Sequence, residues 1–297
     1  MEDQAARLRK LVAELRSGKS TARITRALVP TRVIAVTSGK GGVGKTNITA
    51  NLALALAQRK QRVLILDADL GLANVDVAMG ILPRYNLSHV LRGEMELEEI
   101  ITTGPLGVSI IASGSGIREL ANLSDSARNR LLESLAGLKA DYDFLLIDTS
   151  AGLGRNVLGF VLAADEVLVV TTPEPTAFVD AYSMIKVIFQ ENPRARVRLV
   201  LNMVLNETEA RDVADKLTVL AHRLLGVAIT PLGFVLRDER VGEAVREQTP
   251  LLLLYPGSPA SRCVHSIAAH LTNGRAGAPQ SDLRGFFSRV VDLLKPR

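Results

Sequence analysis

The chain has 297 residues, 47% of them hydrophobic and 23% charged, with no tryptophan and 4% aromatics. That is material for one sizeable α/β domain with short appendages, and its core has to be Leu, Val, Ile and Ala, as in parallel sheets covered by helices on both faces. The formal charge of +5 suits nucleotide, nucleic acid or an acidic membrane surface without selecting one, while the single cysteine, Cys263, excludes an internal disulfide.

In chain order, residues 2–16 carry Leu8, Leu11, Val12 and Leu15 at helical spacing, with Arg7, Arg9, Lys10 and Glu14 interleaved. The charged start lacks the apolar run of a secretory signal. Ser17-Gly18-Lys19-Ser20-Thr21 breaks the helical pattern and reads as a linker, so residues 1–20 form a separate unit.

The main domain is expected over 31–272. It opens on the β-branched run Val33-Ile34-Ala35-Val36, and further strands are expected over 63–66, 108–112, 144–147, 167–171, 197–204 and 230–235. Helices are expected over 45–58, 125–138, 176–190, 207–225, 238–247 and 258–271. Alternation of this kind means right-handed βαβ crossovers and an α/β fold with a doubly wound, mostly parallel sheet. The apolar run Leu251 to Tyr255 is far too short to span a membrane, and a cytoplasmic, reduced setting is expected.

Residues 273–281, rich in Gly, Ala and Pro, read as a flexible linker. In the tail over 282–295, Leu283, Phe286, Phe287, Val290 and Leu294 share one helical face, opposite Arg284, Ser288, Asp292 and Lys295. Two uses fit that face: an interfacial membrane helix, or a helix docked on its own domain.

The strongest motif is Gly39-Lys40-Gly41-Gly42-Val43-Gly44-Lys45-Thr46, a G-x-x-x-x-G-K-[ST] phosphate loop between a strand and a helix, with Asn47 following. Its glycines let successive N–H groups face phosphates, and the helix N-terminus adds its positive end. Lys45 supplies charge to the β- and γ-phosphates, and the Thr46 hydroxyl is a Mg²⁺ ligand. One loop cannot easily aim two lysines at one γ-phosphate, so Lys40 is better used on the phosphates of an adjacent subunit.

With this second lysine the loop resembles that of the MinD/ParA family of deviant-Walker ATPases. The resemblance implies ATP and ADP as ligands, Mg²⁺ as the metal, slow hydrolysis, and a face-to-face homodimer with ATP in which Lys40 crosses the interface. The strand over 63–66 ends in Asp67-Ala68-Asp69, and two acids at the carboxyl edge of an α/β sheet are costly unless cations or waters use them, the alternative for either one being a capping or turn role. The family pattern assigns Asp67 to the Mg²⁺ shell through water, and Asp69 to orienting the attacking water. Phe144-Leu145-Leu146-Ile147-Asp148 has the Walker B form, placing Asp148 near Mg²⁺ and the loop after it as a γ-phosphate sensor. Relatives usually carry Gly, Pro or Ala where Ser150 stands. Asn202 matches an adenine-reading asparagine, or is a turn residue. Leu236 and Arg237 align with a second adenine loop, Leu236 standing where proline is usual.

Within the family, the run Asp67 to Asp76 is most similar to the flagellar-number regulators, the FlhG branch. Asp3-Gln4-Ala5-Ala6-Arg7-Leu8-Arg9 fits that branch's D-Q-A-x-x-L-R motif at Asp3, Gln4, Ala5, Leu8 and Arg9. The resemblance implies a switch ATPase that controls flagellar number and placement at the inner membrane. Its implied partners are an FlhF-like signal-recognition-type GTPase, membrane lipid through the tail, and a flagellar C-ring protein or transcription regulator, with no direct nucleic acid. A MinD-type division-site regulator is the nearest rival, and the D-Q-A motif argues against it. A ParA-type partition ATPase would leave the tail unused.

Overall fold

A computed structural model describes residues 31–69, 74–112, 114, 126–127, 130–131, 134, 142–273 and 283–294. The N-terminal unit with Asp3, Gln4, Ala5, Leu8 and Arg9, most of the helix expected over 125–138, and all but the first residue of the linker expected over 273–281 lie outside these residues.

The sheet has eight strands: β1 (Arg32–Thr37), β2 (Val63–Ala68), β3 (Thr102–Thr103), β4 (Ser109–Ile111), β5 (Phe144–Thr149), β6 (Glu166–Thr171), β7 (Val197–Val204) and β8 (Thr230–Leu236). Their order is β3-β4-β2-β5-β1-β6-β7-β8, parallel throughout except for the β3–β4 pair at one edge. The four central strands β2, β5, β1 and β6 are fully buried along their length, as their continuous apolar runs require.

Alternate residues serve two cores. Ile34, Val36, Ile65, Leu146 and Val170 pack under α1 (Lys45–Gln58), α2 (Val75–Met79), α8 (Glu239–Arg246), α9 (Leu251–Leu254) and α10 (Pro259–Asn273). On the opposite face, α6 (Pro175–Glu191) and α7 (Glu207–Leu225) cover Val167, Val169 and Leu199. Beside them α3 (Leu87–Leu91), α4 (Leu97–Ile100), α5 (Arg155–Ala163) and α11 (Leu283–Leu294) cover Val33, Leu64 and Leu145. No helix among the described residues is long and apolar enough to cross a membrane.

The tail helix α11 lies on α5. Leu283, Phe286, Phe287, Val290 and Leu294, the face expected to meet lipid, are each 9% exposed or less. In this structure the docked alternative therefore holds, because α5 offers a complementary surface. Phe160 stands 6.5 Å from Phe286 between ring centroids, and Gly159 leaves the space that Leu294 fills. Arg289 donates from Nε and Nη2 to the Ala163 carbonyl at 3.1 and 2.9 Å, capping the C-terminus of α5.

At the opposite edge of the sheet from the phosphate loop, Arg32 and Glu166 are paired in full burial. Glu166 also accepts from Arg198 Nε at 2.6 Å, and Arg32 Nη1 donates to the Leu271 carbonyl at 2.7 Å. Burial alone would raise the Glu166 pKa, but the hydrogen bonds and charges of Arg32 and Arg198 outweigh it and hold the group below its ordinary value. A depressed carboxylate stabilises the fold above its unfolded pKa, and that contribution is lost as pH falls through the folded one. Glu166→Ala strands a buried guanidinium and should cost about 3–5 kcal/mol in urea unfolding at neutral pH. The deficit relative to the parent should shrink as the medium becomes acid.

Candidate functional site

The site forms at the carboxyl ends of β1, β2 and β5, where an open α/β sheet presents its crevice. The chain leaves β1 through Ser38 to Gly44 and enters α1 at Lys45. Gly44 turns that corner with φ 88°, a left-handed conformation that disfavours other residues, and a Cβ there would collide with the Asn202 amide. Gly39 has a different reason for lacking a side chain: the Asp180 backbone of α6 lies against it.

Gly41, Gly42, Gly44, Lys45, Thr46 and Asn47 line a cavity of about 650 Å³, within the usual range for small-molecule sites. Val43 instead anchors the loop in the core, and its carbonyl accepts from Asn202 Nδ2 at 2.8 Å. Asn202 thus braces the phosphate loop while also lining the cavity. Met203, Leu236, Arg237, Val241 and, from α2, Val77 and Ala78 also line it, a mostly apolar set of the kind that suits a base. The sequence reading had Leu236 and Arg237, but not the apolar residues from α2 and α8.

Lys40 points elsewhere. Its Nζ donates to Glu174 Oε2 and Thr176 Oγ1, both at 2.9 Å, at the start of α6 in its own chain. The ion pair is exposed, with side-chain accessibilities of 39% and 66%, so exchanging it for another anion costs little.

Lys45 is only 8% exposed. Burial pushes its pKa down, against the charges of Asp148 and Asp69, which raise it. Thr46 Oγ1 donates to Asp148 Oδ2 at 2.6 Å and Thr49 Oγ1 to Oδ1 at 3.2 Å. Asp67 lies beside Asp148 in the β2–β5 register and accepts from the backbone N–H groups of Asp69, Asn74 and Val75. Asp67 thereby also organises the start of α2, and like Asp148 it is buried just behind the cavity wall. Asp69 does line the cavity, with its Oδ1 held by the Ser150 hydroxyl at 2.7 Å.

Burial raises Asp67 to about 7, with the Asp148 charge adding to it and the backbone N–H groups opposing. Burial likewise raises Asp148 to about 6, against Thr46 and Lys45. Among the described residues no group of three or more His, Cys, Asp or Glu forms a metal cage. A hydroxyl, a carboxylate and the phosphates of a ligand are the donor set that suits Mg²⁺. The glycine loop, the buried ammonium and this oxygen pair fit a magnesium nucleotide, and they define a P-loop nucleotide hydrolase.

Comparison with known proteins agrees. The AAA domain family matches residues 31–199. The chain is 41% identical to the antiactivator FleN of Pseudomonas aeruginosa over 88% of its own length and 94% of that protein's. It is 35% identical to the flagellum site-determining protein YlxH of Helicobacter pylori, over 89% and 91%. Among solved structures, the septum site-determining protein MinD from Pyrococcus horikoshii, complexed with Mg-ADP, superposes with a TM-score of 0.65 at 26% identity, covering 83% of this chain and 98% of that one. The chain belongs to the MinD/ParA family of deviant-Walker ATPases, in its FlhG branch. It is an ATPase.

With the pKa values of Asp67 and Asp148 raised to about 7 and about 6, the folded protein binds more protons there than the unfolded chain between about pH 4 and about pH 7. Stability of the nucleotide-free protein should therefore fall as pH rises through that range. Mg²⁺ and Lys45 favour the ionised carboxylates, so binding of Mg-nucleotide near pH 6 should release protons and tighten as pH rises. Calorimetry in two buffers of different ionisation enthalpy, with melting temperatures across the range, checks both signs.

Proposed function

We propose that ATP converts this chain from a monomer with a docked tail into a membrane-bound homodimer that controls flagellar number and placement. The observation that carries the reading is the placement of α5. This helix starts at Arg155, directly after the Ser150 to Gly154 loop at the end of β5, and that loop is tied to the phosphate loop by Gly152 N donating to the Ser38 carbonyl at 2.9 Å. The same helix holds α11 along its later residues, at Gly159, Phe160 and Ala163. A shift of the loop on meeting a γ-phosphate moves the platform on which the tail rests.

In this mechanism Lys45 and the loop N–H groups bind the phosphates, Thr46 and Asp148 would hold Mg²⁺, and Asp67 would join its shell through water while holding the adjoining turn. Bound Mg²⁺ neutralises phosphate charge. Asp69 orients the attacking water at the cavity wall, and positioning of this kind suffices for slow phosphoryl transfer. Lys40 leaves Glu174 and Thr176 for the phosphates of the partner subunit. Asn202, Leu236 and Arg237 frame the base. The segment with Asp3, Gln4, Ala5, Leu8 and Arg9 engages an FlhF-like GTPase, and a flagellar C-ring protein or transcription regulator receives the output. The reading draws support from FleN and YlxH, which match along most of the chain.

Lys40→Ala should leave nucleotide affinity unchanged while removing dimers formed with a non-hydrolysable ATP analogue, read by light scattering. Dimers that survive the change would show that Lys40 does not act across the interface.

Docking and lipid insertion use the same side chains, so they exclude one another. The parent should co-sediment with anionic vesicles in the ATP analogue and not in ADP. Phe286→Asp with Phe287→Asp should abolish the pelleting seen with the ATP analogue, because each apolar side chain lost removes roughly 1.5–3 kcal/mol of insertion. Equal pelleting of the parent with either nucleotide would sink the gating.

A further inference from the structure

The two strands that carry the site's acids continue in step beyond the acids themselves. Asp67 is paired with Asp148 in the parallel register of β2 and β5. Two residues further on, where strand alternation returns to the same side, stand Asp69 and Ser150. Ser150 Oγ donates to Asp69 Oδ1 at 2.7 Å, spanning the two strand ends.

We propose that Ser150 is a positioning residue for ATP hydrolysis: its hydroxyl fixes the Asp69 carboxylate at the cavity wall, so that water attacking the terminal phosphate meets an acceptor already oriented. The inference rests on the reading of Asp69 as the carboxylate that orients that water.

Three observations support it. Asp69 lies just past the end of β2, beyond the last residue paired to β5, where the Ser150 hydroxyl adds a side-chain restraint to the bond from Asp69 N to Asp67 Oδ1. A hydroxyl on a carboxylate is a charge-assisted hydrogen bond, among the stronger kinds, and it selects one carboxylate orientation. Finally, Ser150 belongs to a loop anchored to the phosphate loop, because Gly152 N donates to the Ser38 carbonyl at 2.9 Å. The position of Asp69 is thereby referenced to the same backbone that holds the phosphates. A residue without a hydroxyl at this position could not make that link.

Steady-state ATPase measurements on the full chain with Mg²⁺ test this, using Ser150→Ala, Ser150→Thr and Asp69→Ala in parallel. Ser150→Ala should lower kcat about tenfold, the scale of a lost positioning contact, with KM for ATP and analogue-induced dimers unchanged. Ser150→Thr keeps the hydroxyl and should recover most of the rate, while Asp69→Ala should abolish it. Three results would overturn the proposal: Ser150→Ala turning over as fast as the parent, Ser150→Ala losing rate through KM or dimer formation, or Ser150→Thr no faster than Ser150→Ala. Normal turnover by Asp69→Ala would instead remove the role of Asp69 on which the proposal stands, so the two failures are separable.

Discussion

Everything in this molecule is arranged around charges buried where β2, β5 and α1 meet. Asp67 and Asp148 are each 1% exposed and Lys45 8%, at the edge of a sheet whose central strands are otherwise apolar. Ionised groups at such depth are costly unless each finds a partner. The protein meets part of that cost with two threonine hydroxyls on Asp148 and three backbone N–H groups on Asp67. Protonation meets another part, since both carboxyls sit near the neutral range. The Lys45 ammonium offsets a further part through its charge on Asp148. A magnesium triphosphate would add anions beside Lys45 and a cation beside the acids, so the buried charges are also what selects that ligand.

That arrangement was readable in the sequence to the extent that it depends on local pattern. Uninterrupted apolar runs closed by an acid located β2 and β5, and the glycine loop between a strand and a helix located the phosphates. Pairing is a different matter. Nothing local says that Asp67 and Asp148 are neighbours in register, and hence nothing local says that Ser150 meets Asp69. The D-x-D and D-x-S spacings on the two strand ends were the available signal, meaningful only once the strands are known to be adjacent and parallel.

Other features escaped for similar reasons. The helix α5 reads Arg-Asn-Val-Leu-Gly-Phe-Val-Leu-Ala, apolar nearly all round with a central glycine, so it has no clean helical stripe. Its composition makes sense only with α11 in place: Gly159 admits Leu294, and Phe160 meets Phe286. The short helices α2, α3 and α4 hold four or five residues each, too few for a period to register. Lys40 was recognised as surplus to its own loop, but its contacts with Glu174 and Thr176 join residues more than a hundred positions apart.

The tail shows why an amphipathic period alone does not decide between lipid and protein. Period reports that one face avoids water and is silent on what replaces the water. For α11 the replacement is α5, which buries both phenylalanines and adds two hydrogen bonds from Arg289 that hydrocarbon could not offer. Those bonds go to a carbonyl at the last residue of α5, so they exist only while the end of that helix is in place. Lipid contact needs no such geometry and depends on apolar area alone. A small displacement of α5 therefore weakens docking and leaves insertion untouched. For a helix that is equally apolar in either setting, the polar contacts with the end of α5 are what set the docked position apart.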